Sequence, residues 1–354
     1  MRTGMGKTAH GKLKILKFIL RLLCAVTLIA LLIWKSREQL QNCLHAFDYK
    51  LVVPAIFFYA LHHAVCAWRW QKLAALQNFD ISFREAFSLT LQGAFFSLIL
   101  PGGAIGGDVV KMGILAKRQK KGSRVEGMFT IFMDRVIGMV ALFALTIVLL
   151  QLFMNKLPSL HIPGVKISLL QLKMIVYLIQ ALCAAGIAAA VGIFFHRSFE
   201  KVPFIRAVMQ FTDRRFNNAV SRMTNAADLY AKSPQQLIFL TLTSVFFVHL
   251  MIVVPMIFLL SGTDLILNGE NLLLVATAVT VGSIAGLIPL APGGIGLRDL
   301  TVIAVFSSGG ITAGNGETAQ LLMTGVMIFV SLLGGIFFIL DSGTESISTD
   351  RNEP

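Results

Sequence analysis

Asp108, Lys111, Asp134, Arg135, Arg298 and Asp299 are charges set among apolar stretches of a 354-residue chain. Four of them close a helix-breaking run: LPGGAIGGDVVK at 100–111 and LAPGGIGLRD at 290–299. Asp108 follows Pro101 by the same seven residues that separate Asp299 from Pro292. A helix that restarts after such a break presents unsatisfied N–H groups carrying partial positive charge. That end suits an anion such as phosphate, and glycine lets the anion approach the backbone. Pro101, Gly102, Gly103, Gly106 and Gly107 would line one side of such a site, and Pro292, Gly293, Gly294 and Gly296 the other. Lys111, Arg135 and Arg298 could hold a phosphate, while Asp108, Asp134 and Asp299 orient those cations or carry a coupling proton. The blander roles are helix capping for Asp108 and Asp299, and a latch holding a hairpin to its neighbour for Asp134 and Arg135; adjacent helix residues face apart, so Arg135 is a candidate for phosphate or for Asp108, and Asp134 for a basic residue of a hairpin.

These residues need elements that place them inside a membrane. The chain is 56% hydrophobic and 14% charged, with a mean hydropathy of +0.76. A soluble domain carries roughly a quarter charged residues. The sequence therefore predicts an all-α integral membrane protein, forming one domain over 1–354. Six spanning helices are expected near 15–34, 51–68, 126–153, 169–195, 235–260 and 318–340. Lys and Arg cluster in the N-terminal segment and in 69–84, 111–124 and 197–232, which places these on the cytoplasmic side. That clustering also argues against a nucleic-acid partner for the +13 charge. The loops 261–270 and 309–317 hold no Lys or Arg and belong outside. The 35–50 loop is also assigned outside despite Lys35, Arg37 and Lys50. Both termini would be cytoplasmic.

Two apolar pieces, 84–118 and 271–308, are broken at Pro-Gly-Gly and flanked by loops of one sidedness. Each is expected to be a re-entrant helical hairpin. The order of span, hairpin and span then occurs at 51–153 and again, pointing the other way, at 235–340. This is an inverted-topology repeat, in which half-helix ends meet near the midplane.

The basic N-terminus could head a signal peptide, but the apolar run from Ile15 to Trp34 is long for one, and a retained first helix is expected. Cys24, Cys43, Cys66 and Cys183 form no CxxC pair, so no disulfide framework or metal site is expected. His62, His63 and His249 are each read as bonded to a backbone carbonyl rather than as proton carriers. Trp34, Trp68 and Trp70 read as interfacial anchors. The segment 201–232 reads as an amphipathic basic element lying on the anionic leaflet. No HExxH, GxSxG or Walker motif occurs, and the glycine run follows no strand, so neither an enzyme nor a cofactor is expected.

PGGAIGGDVVKMGILAKR, FMDRVIGMVAL and PLAPGGIGLRD together resemble the membrane-domain family named after the lysylphosphatidylglycerol synthase, also called the flippase-like family. The resemblance spans about 15 to 340. It implies movement of a lipid headgroup between leaflets, with a phospholipid, an aminoacylated lipid or a polyprenyl-phosphate lipid as partner. It also implies a bacterial cytoplasmic membrane and a lipid-biosynthesis enzyme nearby. The sequence stops soon after Leu340, so a membrane domain standing without the soluble transferase is expected. Lys111 stands where that family commonly has Arg, and Asp299 where it commonly has Glu. Rival readings are a small-anion secondary transporter, a non-transporting partner of a lipid-modifying enzyme, and a membrane transferase using Asp108 and Asp134.

Overall fold

The structure, a computed structural model, describes residues 37–100, 104–118, 124–154, 168–193, 219–263, 265–266, 268–288 and 292–349. The expected first span, the tip residues Pro101, Gly102 and Gly103, and residues 201–218 of the basic segment lie outside the described residues. Regular structure among the described residues is helical throughout. The order is α1 (Arg37–Ala46), a short turn Tyr49–Leu51, α2 (Val52–Leu76), α3 (Phe83–Ile99), α4 (Ala104–Arg118) and α5 (Arg124–Met154). It continues with α6 (Leu169–Gly192), α7 (Ala219–Ala231), α8 (Pro234–Thr243), a π-helical turn (Ser244–His249), α9 (Leu250–Ser261), α10 (Gly269–Ala285), α11 (Leu297–Ser308) and α12 (Ala313–Thr349).

Among the described residues, five stretches are long and apolar enough to cross a membrane: Tyr49–Leu76, Arg124–Met154, Leu170–Gly192, Pro234–Ser261 and Gly314–Asp341. They coincide with five of the six expected spans, and the chain is a multi-pass all-α membrane protein. Helix α6 leaves Leu170, Met174, Tyr177, Leu178 and Leu182 exposed. In water such a face would drive aggregation; in lipid tails it costs nothing.

The two broken pieces form helix pairs. Ser82 caps α3 by accepting from the Glu85 N–H, and α3 ends where Leu100 turns extended. Both α3 and α4, at 17 and 15 residues, fall short of the roughly 20 that span a bilayer. The second pair, α10 and α11, has 17 and 12 residues. Its break is longer, running from Gly286 to Gly296. There Gly293, Gly294 and Gly296 take φ of 62°, 71° and 95°, a left-handed backbone that side chains resist.

The packing has a reciprocal pattern. α3 lies on α4 and α10 on α11; α3 also lies on α12, and α10 on α5. Thus the first helix of each broken pair leans on the long helix that follows the other pair. α2 packs on α9, and the second tip, Pro292–Gly294, reaches both α3 and α4. Leu98 on α3 adjoins Gly293.

The structure corrects two expectations about the second span. α2 does not stop at 68 but continues to Leu76, so Arg69, Trp70 and Lys72 are helical rather than loop residues. Trp70 is 0% exposed and is no interfacial anchor. Its indole N–H donates to Thr130 on α5 at 3.0 Å. The helix carries these polar residues inward because each finds a partner there, which charge counting along the chain does not reveal. The loop expected over 35–50 holds α1, which packs on α12.

Candidate functional site

The first broken pair places Asp108 four residues into α4, because that helix starts at Ala104. With the helix starting at Ala104, Gly106 and Gly107 belong to its first turn rather than preceding it. Both are buried. Gly107 sits where two helices cross, and a Cβ there would drive into the Gly93 carbonyl and the Ser97 hydroxyl of α3. The glycine thus lets two helices touch, and its backbone is not left open to a ligand.

Arg135 of α5 meets Asp108 side-on. Its Nε lies 2.6 Å from Oδ2 and its Nη2 donates to Oδ1 at 2.8 Å, a bidentate fork. The Asp108 side chain is 15% exposed and that of Arg135 is 48% exposed. Arg135 is eleven residues along α5 from Arg124, about 16 Å at 1.5 Å per residue. Asp108 is ten residues back from Arg118, about 15 Å. The pair thus lies about 15 Å along each helix from its basic end.

Asp134 points elsewhere, as neighbouring positions on a helix must. Its Oδ1 accepts from Arg69 Nε of α2 at 2.8 Å, with side-chain exposures of 12% and 5%. Arg69 also donates to Ser244 Oγ at 2.9 Å. The expected partner was a basic residue of a hairpin; the actual one is a neighbouring span, and this pair ties α2, α5 and the π-helical turn together. Gly138 makes room for it, since a Cβ there would come within 3.3 Å of the guanidinium.

Lys111, one turn beyond Asp108, is buried. Its ammonium sits 3.6 Å from the centre of the Trp70 ring and donates a long 3.4 Å hydrogen bond to Thr90 Oγ1. No carboxylate bridges it among the described residues.

The second site is more closed. Arg298 gives Nε and Nη2 to Asp299 Oδ1 at 3.0 and 2.8 Å, Nη2 to Thr324 at 3.1 Å and Nη1 to the Met327 sulfur at 2.8 Å. Asp299 Oδ2 accepts from the Gly296 N–H at 2.8 Å, and Gln320 of α12 donates to Oδ1 at 2.6 Å. Asp299 is thus the helix cap that its position allowed, and Arg298 is 8% exposed with every guanidinium nitrogen engaged. The two positions diverge on the helix, and it is the length of the Arg298 side chain that lets its guanidinium fold back onto Asp299.

The histidines fall as expected in two cases. His62 Nδ1 is 3.0 Å from the Val248 carbonyl and His249 Nε2 is 2.9 Å from the Gly138 carbonyl. The π-helical turn, which no periodicity signalled, sets the spacing that brings Ser244, Val248 and His249 to these partners. His63 differs: its Nε2 is buried with no hydrogen-bond partner among the described residues. Tyr59, missed by the sequence reading, stacks on His62 and meets His63 edge-on.

Of the basic segment, α7 is a helix docked on the bundle. Arg222 forks onto Glu126 of α5, Gln77 donates to the Ala226 carbonyl at 2.7 Å, and Tyr230 donates to the Leu73 carbonyl at 3.0 Å. Burial pushes the Tyr230 hydroxyl above its ordinary value, so it remains a donor. Two cavities, of about 420 and 290 Å³, are lined by none of Asp108, Lys111, Asp134, Arg135, Arg298 and Asp299. The larger is lined by Trp68, Lys72 and Phe239, the smaller by Val136, Val191 and Leu242.

Comparison with known sequences agrees with this architecture. The family described as "Lysylphosphatidylglycerol synthase TM region" matches residues 18–335. A "UPF0104 membrane protein PH1989" of Pyrococcus horikoshii is 22% identical over 337 residues, covering 92% of this chain and 97% of the relative. A "UPF0104 membrane protein" of Methanothermobacter thermautotrophicus is 22% identical over 306 residues, covering 83% and 86%. With a match that takes in both broken helix pairs and the charged cluster between them, the chain belongs to the family of the lysylphosphatidylglycerol synthase transmembrane region.

Proposed function

We propose that this protein carries a phosphate-bearing lipid headgroup between leaflets of a bacterial cytoplasmic membrane, as a flippase or scramblase. The observation that carries the reading is Arg135. It is a half-exposed guanidinium about 15 Å along its helix from the basic end, held in place by Asp108 and close to a buried lysine. A charge there is costly unless something polar visits it. Exposure at that depth faces lipid or a crevice within it, the route a headgroup takes while its chains stay in the bilayer. Arg298, with its nitrogens engaged, is the weaker phosphate holder, and its part is to fix the second tip against α12.

The test is headgroup exposure in proteoliposomes. Wild type should expose labelled anionic lipid from the inner leaflet quickly. Arg135→Ala should slow this at least about tenfold, as expected when a bidentate anion contact is lost, whereas Arg298→Ala should lower thermal stability. Protection equal to empty liposomes in the wild type would favour a small-anion transporter or a non-transporting partner of a lipid-modifying enzyme.

The same reading includes an inverted-topology repeat with two re-entrant hairpins and cytoplasmic termini. Single cysteines at Asp80 and Lys117, both exposed and flanking the first pair, should label from the cytoplasmic side only. Cysteines at Ile266 and Thr312, exposed on either side of the second pair, should label from outside only. Opposite labelling of Asp80 and Lys117 would mean that 83–118 crosses the membrane.

A further inference from the structure

The end of one helix and the start of another line the larger cavity. α2 stops at Leu76 and α8 starts at Pro234, and about 420 Å³ of space lies between them. Its lining is ordered by depth. Lys72 and Gln236 stand four and two residues from those helix ends, about 6 and 3 Å, and both are exposed. Trp68 and Phe239 stand eight and five residues in, about 12 and 8 Å, and meet edge-on with ring centres 6.4 Å apart. Leu240, 3% exposed, is the one buried residue of the lining. The mouth is therefore polar and cationic, and the depth is aromatic and aliphatic.

Lys72 lies one turn from Trp68 on the same helix face. Its ammonium is 5.9 Å from the ring centre, at the outer limit of a cation–π contact. No carboxylate pairs with it among the described residues, whereas Arg69, Arg135, Arg222 and Arg298 each hold one. The ammonium, the Trp68 indole N–H and the Gln236 amide all bring donors to this space, which suits an acceptor-rich anion. A free phosphate would match Lys72 and leave the rings uncovered. A hydrocarbon chain would cover the rings and leave the ammonium unmatched. An anion joined to a chain does both.

We infer that this groove is a binding site for an anionic phospholipid, seated with its phosphate on Lys72 and Gln236 and one acyl chain along Trp68 and Phe239. It shares no residue with the charged cluster of α2, α4 and α5. The lipid is a resident one that fills the gap between α2 and α8, so the inference stands whether or not the protein moves lipid across the membrane.

The full chain, purified in detergent and stripped of lipid, would be titrated with phosphatidylglycerol brominated in its chains and with the matching phosphatidylcholine. Glycerophosphoglycerol, the headgroup without chains, would be added as a competitor. Bromine quenches an indole that it touches, and subtracting the signal of Trp68→Phe isolates Trp68 from the other two tryptophans. The anionic lipid should quench Trp68 at about fivefold lower concentration than the zwitterionic one, the worth of one lysine at a membrane surface. Lys72→Met should erase that difference and Lys72→Arg should keep it. Lys72 is exposed, so neither change disturbs packing. Lys50→Met, at the other end of α2, should change nothing, and Arg135→Ala should keep the preference, which separates this groove from the charged cluster.

Equal quenching by the two lipids, a preference that survives Lys72→Met, or no quenching of Trp68 at all would each overturn the inference. Loss of the preference in Arg135→Ala would move the selective lipid to the charged cluster and overturn it too. Glycerophosphoglycerol that displaces the brominated lipid at equal concentration would assign the groove to a soluble anion and overturn the lipid occupant.

Discussion

Asp134→Ala is expected to destabilise the protein by about 3–5 kcal/mol, the cost of leaving a buried partner charge alone. Arg69 would lose the carboxylate 2.8 Å away while its side chain stays 5% exposed. Ser244 gives it one oxygen, but a hydroxyl dipole does not neutralise a cation. Arg69→Ala should cost a similar amount, since it strands the acid instead. The double change Arg69→Met with Asp134→Leu should recover most of the loss, because apolar groups of similar volume replace a buried pair without stranding either charge. Unfolding in detergent, followed by helical signal against denaturant, measures all three. A loss under about 1 kcal/mol for either single variant would place the pair in the class of solvated bridges and sink the latch. The Asp108–Arg135 pair should behave differently. With half of Arg135 already exposed, Asp108→Asn should cost little stability and act through the cation it positions.

That contrast marks how far the sequence could be read. Adjacent positions on a helix diverge by about 100°, which points Asp134 and Arg135 toward different partners, and they have them. For Arg135 the partner Asp108 was among the candidates, and it is the one found; for Asp134 the partner was not legible. Arg69 looked like one of three basic residues in a short cytoplasmic loop; only the continuation of α2 to Leu76 carries it against α5. Spans were legible because an apolar run of about 20 residues has few alternatives. The breaks were legible because Pro-Gly-Gly cannot continue a helix. The π-helical turn at Ser244–His249 was not, since SVFFVH carries no signal distinguishing it from α-helix. Yet it sets where Ser244, Val248 and His249 meet α2 and α5. Nor could composition tell that Asp299 caps its own helix while Asp108 reaches a neighbour. The two acids stand at the same offset from their prolines, but one helix starts three residues after its proline and the other five. Asp299 therefore falls on the first free N–H groups, and Asp108 falls past them.

Gly107→Ala is the other change expected to have a large effect, and it separates two reasons for a glycine beside a charged site. If Gly107 served close approach of an anion, alanine would impair transport and leave the fold intact. The crossing of α3 and α4 gives another reason: the new methyl would occupy the place of the Gly93 backbone carbonyl and the Ser97 hydroxyl. Backbone cannot swing aside as a long side chain can, so the two helices must part. Overpacking of this kind costs about 1–3 kcal/mol and more where nothing yields, and here it would also shift Asp108, the next residue, off Arg135. Gly113 on the same helix is the control. It is exposed and a methyl there meets nothing within 4 Å, so Gly113→Ala should stabilise α4 by up to about 1 kcal/mol through helix propensity. Gly334→Ala should resemble Gly107→Ala, because its methyl would run into the Leu91 carbonyl where α12 crosses α3. A Gly107→Ala protein with wild-type melting temperature and no transport would return the glycine to the ligand; a lowered melting temperature in Gly107→Ala and Gly334→Ala, with Gly113→Ala raised, assigns it to the helix crossing.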